Sequence, residues 1–144
     1  MSKEKHPNPQ LVLRESKTVA IVGCSADPYR TSNYAAHYLQ KKGYRVIPVN
    51  PRETEILGEP CYARLAMIPE DITIDIVNIF RNKRYTEGVV DEVIDWKNNT
   101  GQSPVIWTQL DVSSNEAAIK AKQAALPYIR NICIMVELDH LKYE

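Results

Sequence analysis

Glycine is scarce in this sequence, five residues among 144. Nowhere do the glycines form the Gly-x-Gly-x-x-Gly turn that brings backbone against the pyrophosphate of a dinucleotide. Their absence counts against an ordinary NAD-type fingerprint. Cysteine is equally sparse: Cys24, Cys61 and Cys133 are odd in number and widely spaced. They build neither a disulfide framework nor a paired zinc motif, and a reducing cytoplasm is the expected compartment. Neither sign of charge dominates, with 18 Lys and Arg against 18 Asp and Glu. A chain that grips a nucleic-acid backbone or an anionic membrane normally carries a basic excess, so neither partner is expected. No apolar run approaches the roughly 18 residues of a spanning helix, and Met1 to Pro9 is polar with no signal-type stretch. His6, His37 and His140 are too scattered to ligate a metal, and no nucleophile–base–acid constellation emerges. The expected site therefore has no catalytic and no metal-binding residues.

What is present is an alternation. Apolar content of 44% and charged content of 25% are ordinary globular values. Residues 1–16 read as a lead-in, helical from Gln10 to Glu15, and residues 17–144 as one domain. Thr18 to Gly23 is a short β-branched run suited to a strand buried on both faces. Ser32 to Lys42 has helical spacing and stops at Gly43. Further strands are expected at Tyr44–Val49, Ile72–Phe80, Pro104–Thr108 and Ile129–Val136, and a helix at Lys83–Asn98. Cys61–Ile68 reads as a short helix or irregular crossover, and an Ala-rich helix is opened by a Ser113-x-x-Glu116 capping box. The expectation is an α/β fold: a doubly wound, five-stranded parallel sheet, Rossmann-like, with strand order 3-2-1-4-5.

Ligands of such sheets bind outside the carboxyl ends of the strands, where strand order reverses. The loops there carry Arg30, Arg52, Arg81, Lys83 and Arg84. Helix N-termini open on the same rim, so a polyphosphate suits it. After Gly23, the hydroxyls of Ser25, Thr31 and Ser32 and the guanidinium of Arg30 replace the missing glycines. After the second strand stand Asn50, Pro51 and Arg52, where an NAD protein places an acid for its ribose diol; a ribose phosphate fits better. Cys24, beside the first helix N-terminus, stands where a thiol pKa can be lowered, although a small residue tolerated in a tight turn is the plainer reading. Asp75 reads as a strand-end acid bonded to backbone, and Trp96, Trp107 and the tyrosines as packing.

Four blocks carry a resemblance: Val22-Gly23-x-Ser25-x-x-Pro28-x-Arg30-x-Ser32, Val46-Ile47-Pro48-Val49-Asn50-Pro51, Asp75-Ile76-Val77-x-x-Phe80-Arg81 and Trp107-x-Gln109-Leu110. In order and spacing they resemble the small stand-alone CoA-binding proteins, whose fold is like the CoA-binding domain of the succinyl-CoA synthetase α subunit. The resemblance implies coenzyme A as ligand, with no reaction of the domain's own. It implies the Ser25–Ser32 loop, with Gly23 and Tyr29, at the phosphates, and Val49, Asn50 and Pro51 beside adenine or ribose. Phe80 and Arg81 would flank that region, and Gln109 would stand near the pantetheine. Two positions depart from the family: Asp111 stands where it usually has Gly, and Ile132 where it has Arg. A homodimer stays open. So do two other functions, an NADP-type oxidoreductase fragment and a regulatory or interaction protein on a Rossmann scaffold.

Overall fold

The computed structural model describes residues 7–141. Its elements are α1 (Pro9–Glu15), β1 (Thr18–Val22), α2 (Thr31–Lys41), β2 (Arg45–Val49), β3 (Glu55–Ile56), β4 (Glu59–Pro60), β5 (Ile76–Ile79), α3 (Thr86–Thr100), β6 (Val105–Thr108), α4 (Asn115–Gln123), β7 (Tyr128–Ile129) and α5 (Ile134–Leu141), with 3₁₀ turns at Leu65–Met67 and Lys83–Tyr85. Five strands pair in parallel in the order β2-β1-β5-β6-β7. Because strand side chains alternate between faces, the sheet divides its apolar residues into two cores. Val19, Ile21 and Ile76 pack under Leu13, Leu39, Ile134 and Leu138 of α1, α2 and α5. Ala20, Val22, Val77 and Ile79 pack under Val89, Val93, Trp96 and Ala121 of α3 and α4. The doubly wound α/β class is therefore as expected.

The strand order is not. Counted along the chain, the sheet runs 2-1-3-4-5 rather than 3-2-1-4-5. The reason lies at Pro48. Tyr62 donates its N–H to the Pro48 carbonyl (3.1 Å) and accepts from the Asn50 N–H (2.9 Å), so this row of groups on β2 faces the outer edge of the sheet. A residue's N–H and C=O point the same way along a strand, so the missing N–H of Pro48 costs no ladder bond to β1. Proline tolerates an edge strand and not a central one. The third sheet strand consequently lies on the other side of β1.

The last expected strand is also corrected. Only Tyr128–Ile129 pairs with β6; the chain then leaves the sheet through Asn131 at φ +58°. Thr108 enforces the exit: its Oγ1 donates to the Ile129 carbonyl (2.8 Å) and accepts from the Asn131 N–H (3.0 Å). The apolar run beyond continues as α5, with Ile134 and Leu138 buried and Leu141 packed behind them at helical spacing. Short β-branched runs do not by themselves distinguish strand from buried helix. The 50–75 crossover contains an unexpected hairpin, β3–β4, whose turn residues Leu57 and Gly58 both have positive φ (52° and 79°), the pairing a tight hairpin requires. The cap of α4 is Ser114, accepting from the Ala117 N–H, and not Ser113, whose hydroxyl meets Tyr128. Asp75 does bond backbone, accepting from the N–H groups of Lys17 and Thr18. Trp96 and Trp107 are buried, whereas Tyr29 and Tyr34 are 95% and 61% exposed.

Candidate functional site

Strand order reverses between β1 and β5, so the crevice opens between the loops following Val22 and Ile79. Gly23 makes that crevice possible. It sits at φ +88°, and a Cβ placed there would lie 2.7 Å from Arg81 Cγ and 3.2 Å from the Arg81 backbone nitrogen. Glycine is what lets the two loops touch, and it sets the Arg81 stem against the end of β1.

The loop after β1 is braced from within. Ser32 Oγ accepts the Ser25 N–H (2.9 Å), Ser25 Oγ accepts the Asp27 N–H (3.0 Å), and Asn33 Nδ2 donates to the Ser25 carbonyl (2.8 Å). Each hydroxyl keeps its own proton free to donate outward. Helix α2 then begins at Thr31 with Arg30 as its cap residue and no side-chain cap. Its first N–H groups and the positive end of its dipole are left for an anion. Asn50 ties this loop to the next: its Nδ2 donates to the Cys24 carbonyl and its Oδ1 accepts from the Arg52 N–H, both at 2.8 Å.

Two clefts result, sharing Gly23 and Arg30. One, of about 420 Å³, lies over the start of α2 and is lined by Ser25, Tyr29, Thr31, Ser32 and Phe80. The other, of about 320 Å³, runs past the ends of β1 and β2, with apolar walls from Val22, Val49, Pro51 and Ala63. Arg30, Arg52, Arg64 and Arg81 project into it against one carboxylate, Glu92. Glu92 is partly occupied, its Oε1 accepting from the Leu65 N–H at 3.3 Å. A protein of zero net charge thus concentrates positive potential in one hollow, where low-dielectric walls strengthen it.

Of the sequence-predicted residues, Gly23, Ser25, Tyr29, Arg30, Thr31, Ser32, Val49, Asn50, Pro51, Arg52, Phe80 and Arg81 line these clefts. Gln109 does not. It is buried, and its Oε1 accepts from the Ile134 N–H (2.9 Å) and from Asn78 Nδ2 (3.2 Å), which ties β5 and β6 to the start of α5. Lys83 and Arg84 also stay outside the cleft lining. Val22 belongs to the first resemblance block without being expected at the ligand, and Ala63, Arg64 and Glu92 join the lining with no signal in the sequence. Arg64 reaches the cleft because Tyr62 is bridged to Val49, a contact that no local spacing announces. Asp111 adopts a left-handed backbone (φ +65°), held by its N–H to Asn131 Oδ1 at 2.6 Å, so the turn forms here without glycine.

The surroundings of Cys24 do not lower its pKa as its place beside the helix start led one to expect. It is fully buried, and burial, with a smaller contribution from nearby Cys61, pushes its pKa up to about 12. The helix terminus that would lower it is outweighed by desolvation. A raised acid pKa favours the folded state fully below the unfolded value, roughly 8.5. That contribution is lost as pH rises toward about 12. Iodoacetamide at pH 8 is expected to leave Cys24 unmodified in the native protein and to label it in denaturant. Peptide mass mapping checks this, and native labelling of Cys24 at the rate of a free thiol would contradict its burial.

A family model described as a CoA binding domain matches residues 17–139. The chain is similar to the uncharacterized protein YneT of Bacillus subtilis (strain 168), 37% identical over 125 residues that cover 87% of each. A solved hypothetical protein from Pyrococcus horikoshii OT3 superposes with a TM-score of 0.84 at 32% identity, covering 98% of this chain and 99% of that one. A shorter stretch of 61 residues is 36% identical to an ADP-forming acetate–CoA ligase of Archaeoglobus fulgidus, spanning 42% of this chain and 9% of the ligase.

Proposed function

This chain belongs to the CoA-binding domain family, and on that premise we propose that it binds coenzyme A at the rim formed by the loops after β1, β2 and β5, without turnover of its own. The observation that carries the reading is the hollow into which Arg30, Arg52, Arg64 and Arg81 project beside an uncapped helix start. Coenzyme A is an adenine nucleotide with a pyrophosphate and a ribose phosphate, and each part has a counterpart here. The pyrophosphate suits the cleft over α2, with its hydroxyls and helix dipole. The adenine suits the apolar walls of Val49, Pro51 and Ala63, and the ribose phosphate suits Arg52 and Arg81 through charge-assisted bonds.

Turnover needs a base, nucleophile or oxyanion hole at the acyl end of the ligand. Neither histidine nor cysteine lines either cleft, and Cys24, next to Gly23 and Ser25 of the lining, is buried. On this reading the protein holds the nucleotide without turning it over.

Titration calorimetry tests this directly. Coenzyme A is expected to bind in the micromolar range, about −7 to −9 kcal/mol, with ATP and NADPH weaker. Arg30→Ala, at the exposed junction of both clefts, is expected to lose about 1.5–3 kcal/mol of affinity, the usual worth of hydrogen bonds to charged groups, with its melting temperature nearly unchanged. No heat and no thermal shift with excess coenzyme A would refute the reading. Preferential binding of NADPH would favour an oxidoreductase fragment instead.

A further inference from the structure

Arg81 is unusual among the cleft arginines in being partly buried, and its surroundings explain how it is held. Its stem lies against Gly23, where a Cβ would collide with it at 2.7 Å. Its guanidinium stands over the ring of Tyr85, Cζ 4.1 Å from the centroid. The guanidinium of Arg84 approaches the same ring at 4.9 Å and donates to the Tyr85 hydroxyl at 3.0 Å. Lys120 forms ion pairs with Glu87 and Asp91 on α3, away from the cleft. Among the described residues no carboxylate pairs with Arg81 and no acceptor takes its N–H groups, so its donors are unspent while its position is fixed.

A cation held by an aromatic face keeps its hydrogen-bonding capacity, because the ring attracts charge without accepting the in-plane N–H groups. Holding the side chain in advance also removes part of the ordering cost that a ligand would otherwise bear. We propose that Tyr85, which lines neither cleft, is a positioning residue: its ring presents the Arg81 guanidinium to an anionic group of the ligand. This deepens the coenzyme A reading and rests on it. Asn82 sets the ring's place, since its side chain caps the 3₁₀ turn Lys83–Tyr85 by accepting the Arg84 N–H at 3.0 Å.

The test is a double-mutant cycle read by calorimetry with coenzyme A on the full chain. Tyr85→Leu is expected to weaken binding by about fivefold to tenfold, and Tyr85→Phe, which keeps the ring, to stay within about twofold of the wild type. In an Arg81→Ala background, Tyr85→Leu should cost nothing further, because of the two guanidinium groups on the ring it is that of Arg81 that lines the cleft. Tyr85→Gln repeats the measurement if leucine lowers the melting temperature. Unchanged affinity in Tyr85→Leu, or an equal loss with and without Arg81, would overturn the positioning role while leaving the coenzyme A reading intact. A wild-type protein that fails to bind coenzyme A would overturn that reading first, and this role with it.

Discussion

Gly23→Ala is expected to lower coenzyme A affinity by at least about tenfold, or 1.4 kcal/mol, and to destabilise the fold by roughly 1–3 kcal/mol. Two costs meet at one atom. The backbone at φ +88° disfavours any L side chain, and the new methyl would lie 2.7 Å from Arg81 Cγ and 3.3 Å from the Phe80 carbonyl carbon. Relief requires moving the loop after β5, and Arg81 moves with it. Stability by urea titration and affinity by calorimetry should therefore fall together. A Gly23→Ala protein with wild-type affinity would mean that this contact does not shape the ligand site.

Gln109→Ala should behave in the opposite way, costing stability and sparing affinity. Removing its carbonyl leaves the buried Ile134 N–H without its side-chain acceptor and strips one of two partners from Asn78 Nδ2. Asn78 Oδ1 already lacks a partner, so the site has no slack. A loss of about 2–4 kcal/mol is expected for the cavity and the stranded donors. That corresponds to roughly 6–15 °C in melting temperature for a domain of this size. Coenzyme A bound by the folded fraction should keep its affinity. A selective loss of binding with an unchanged melting temperature would return Gln109 to the ligand site.

These two residues mark where sequence reasoning succeeds and where it stops. The βα alternation is legible because buried parallel strands are short apolar runs and helices repeat at 3.6 residues. The rim loops are legible because they follow those strands directly; Arg30, Arg52 and Arg81 could be gathered without coordinates. Strand order needs long-range information, and the one local clue was Pro48, whose missing N–H belongs at a sheet edge. Gln109 looks like a rim residue because it follows β6, yet its side chain turns inward to the start of α5. Arg64 and Glu92 enter the cleft through a bridge between Tyr62 and Val49 and through the packing of α3 on the Leu65 turn. Neither arrangement has a signature along the chain.

The bridge at Tyr62 has a consequence for self-association. An exposed strand edge is a template on which a second chain can add a strand, the usual route to edge-to-edge aggregation. Here the C-terminal half of the β2 margin is covered, since Tyr62 already takes the Pro48 carbonyl and the Asn50 N–H, and proline removes one donor from the row. The opposite margin, β7, is two residues long before the backbone turns away at Asn131. Among the described residues both margins of the sheet are thus blunted, one by a covered row and one by its shortness, the kind of edge that discourages strand addition.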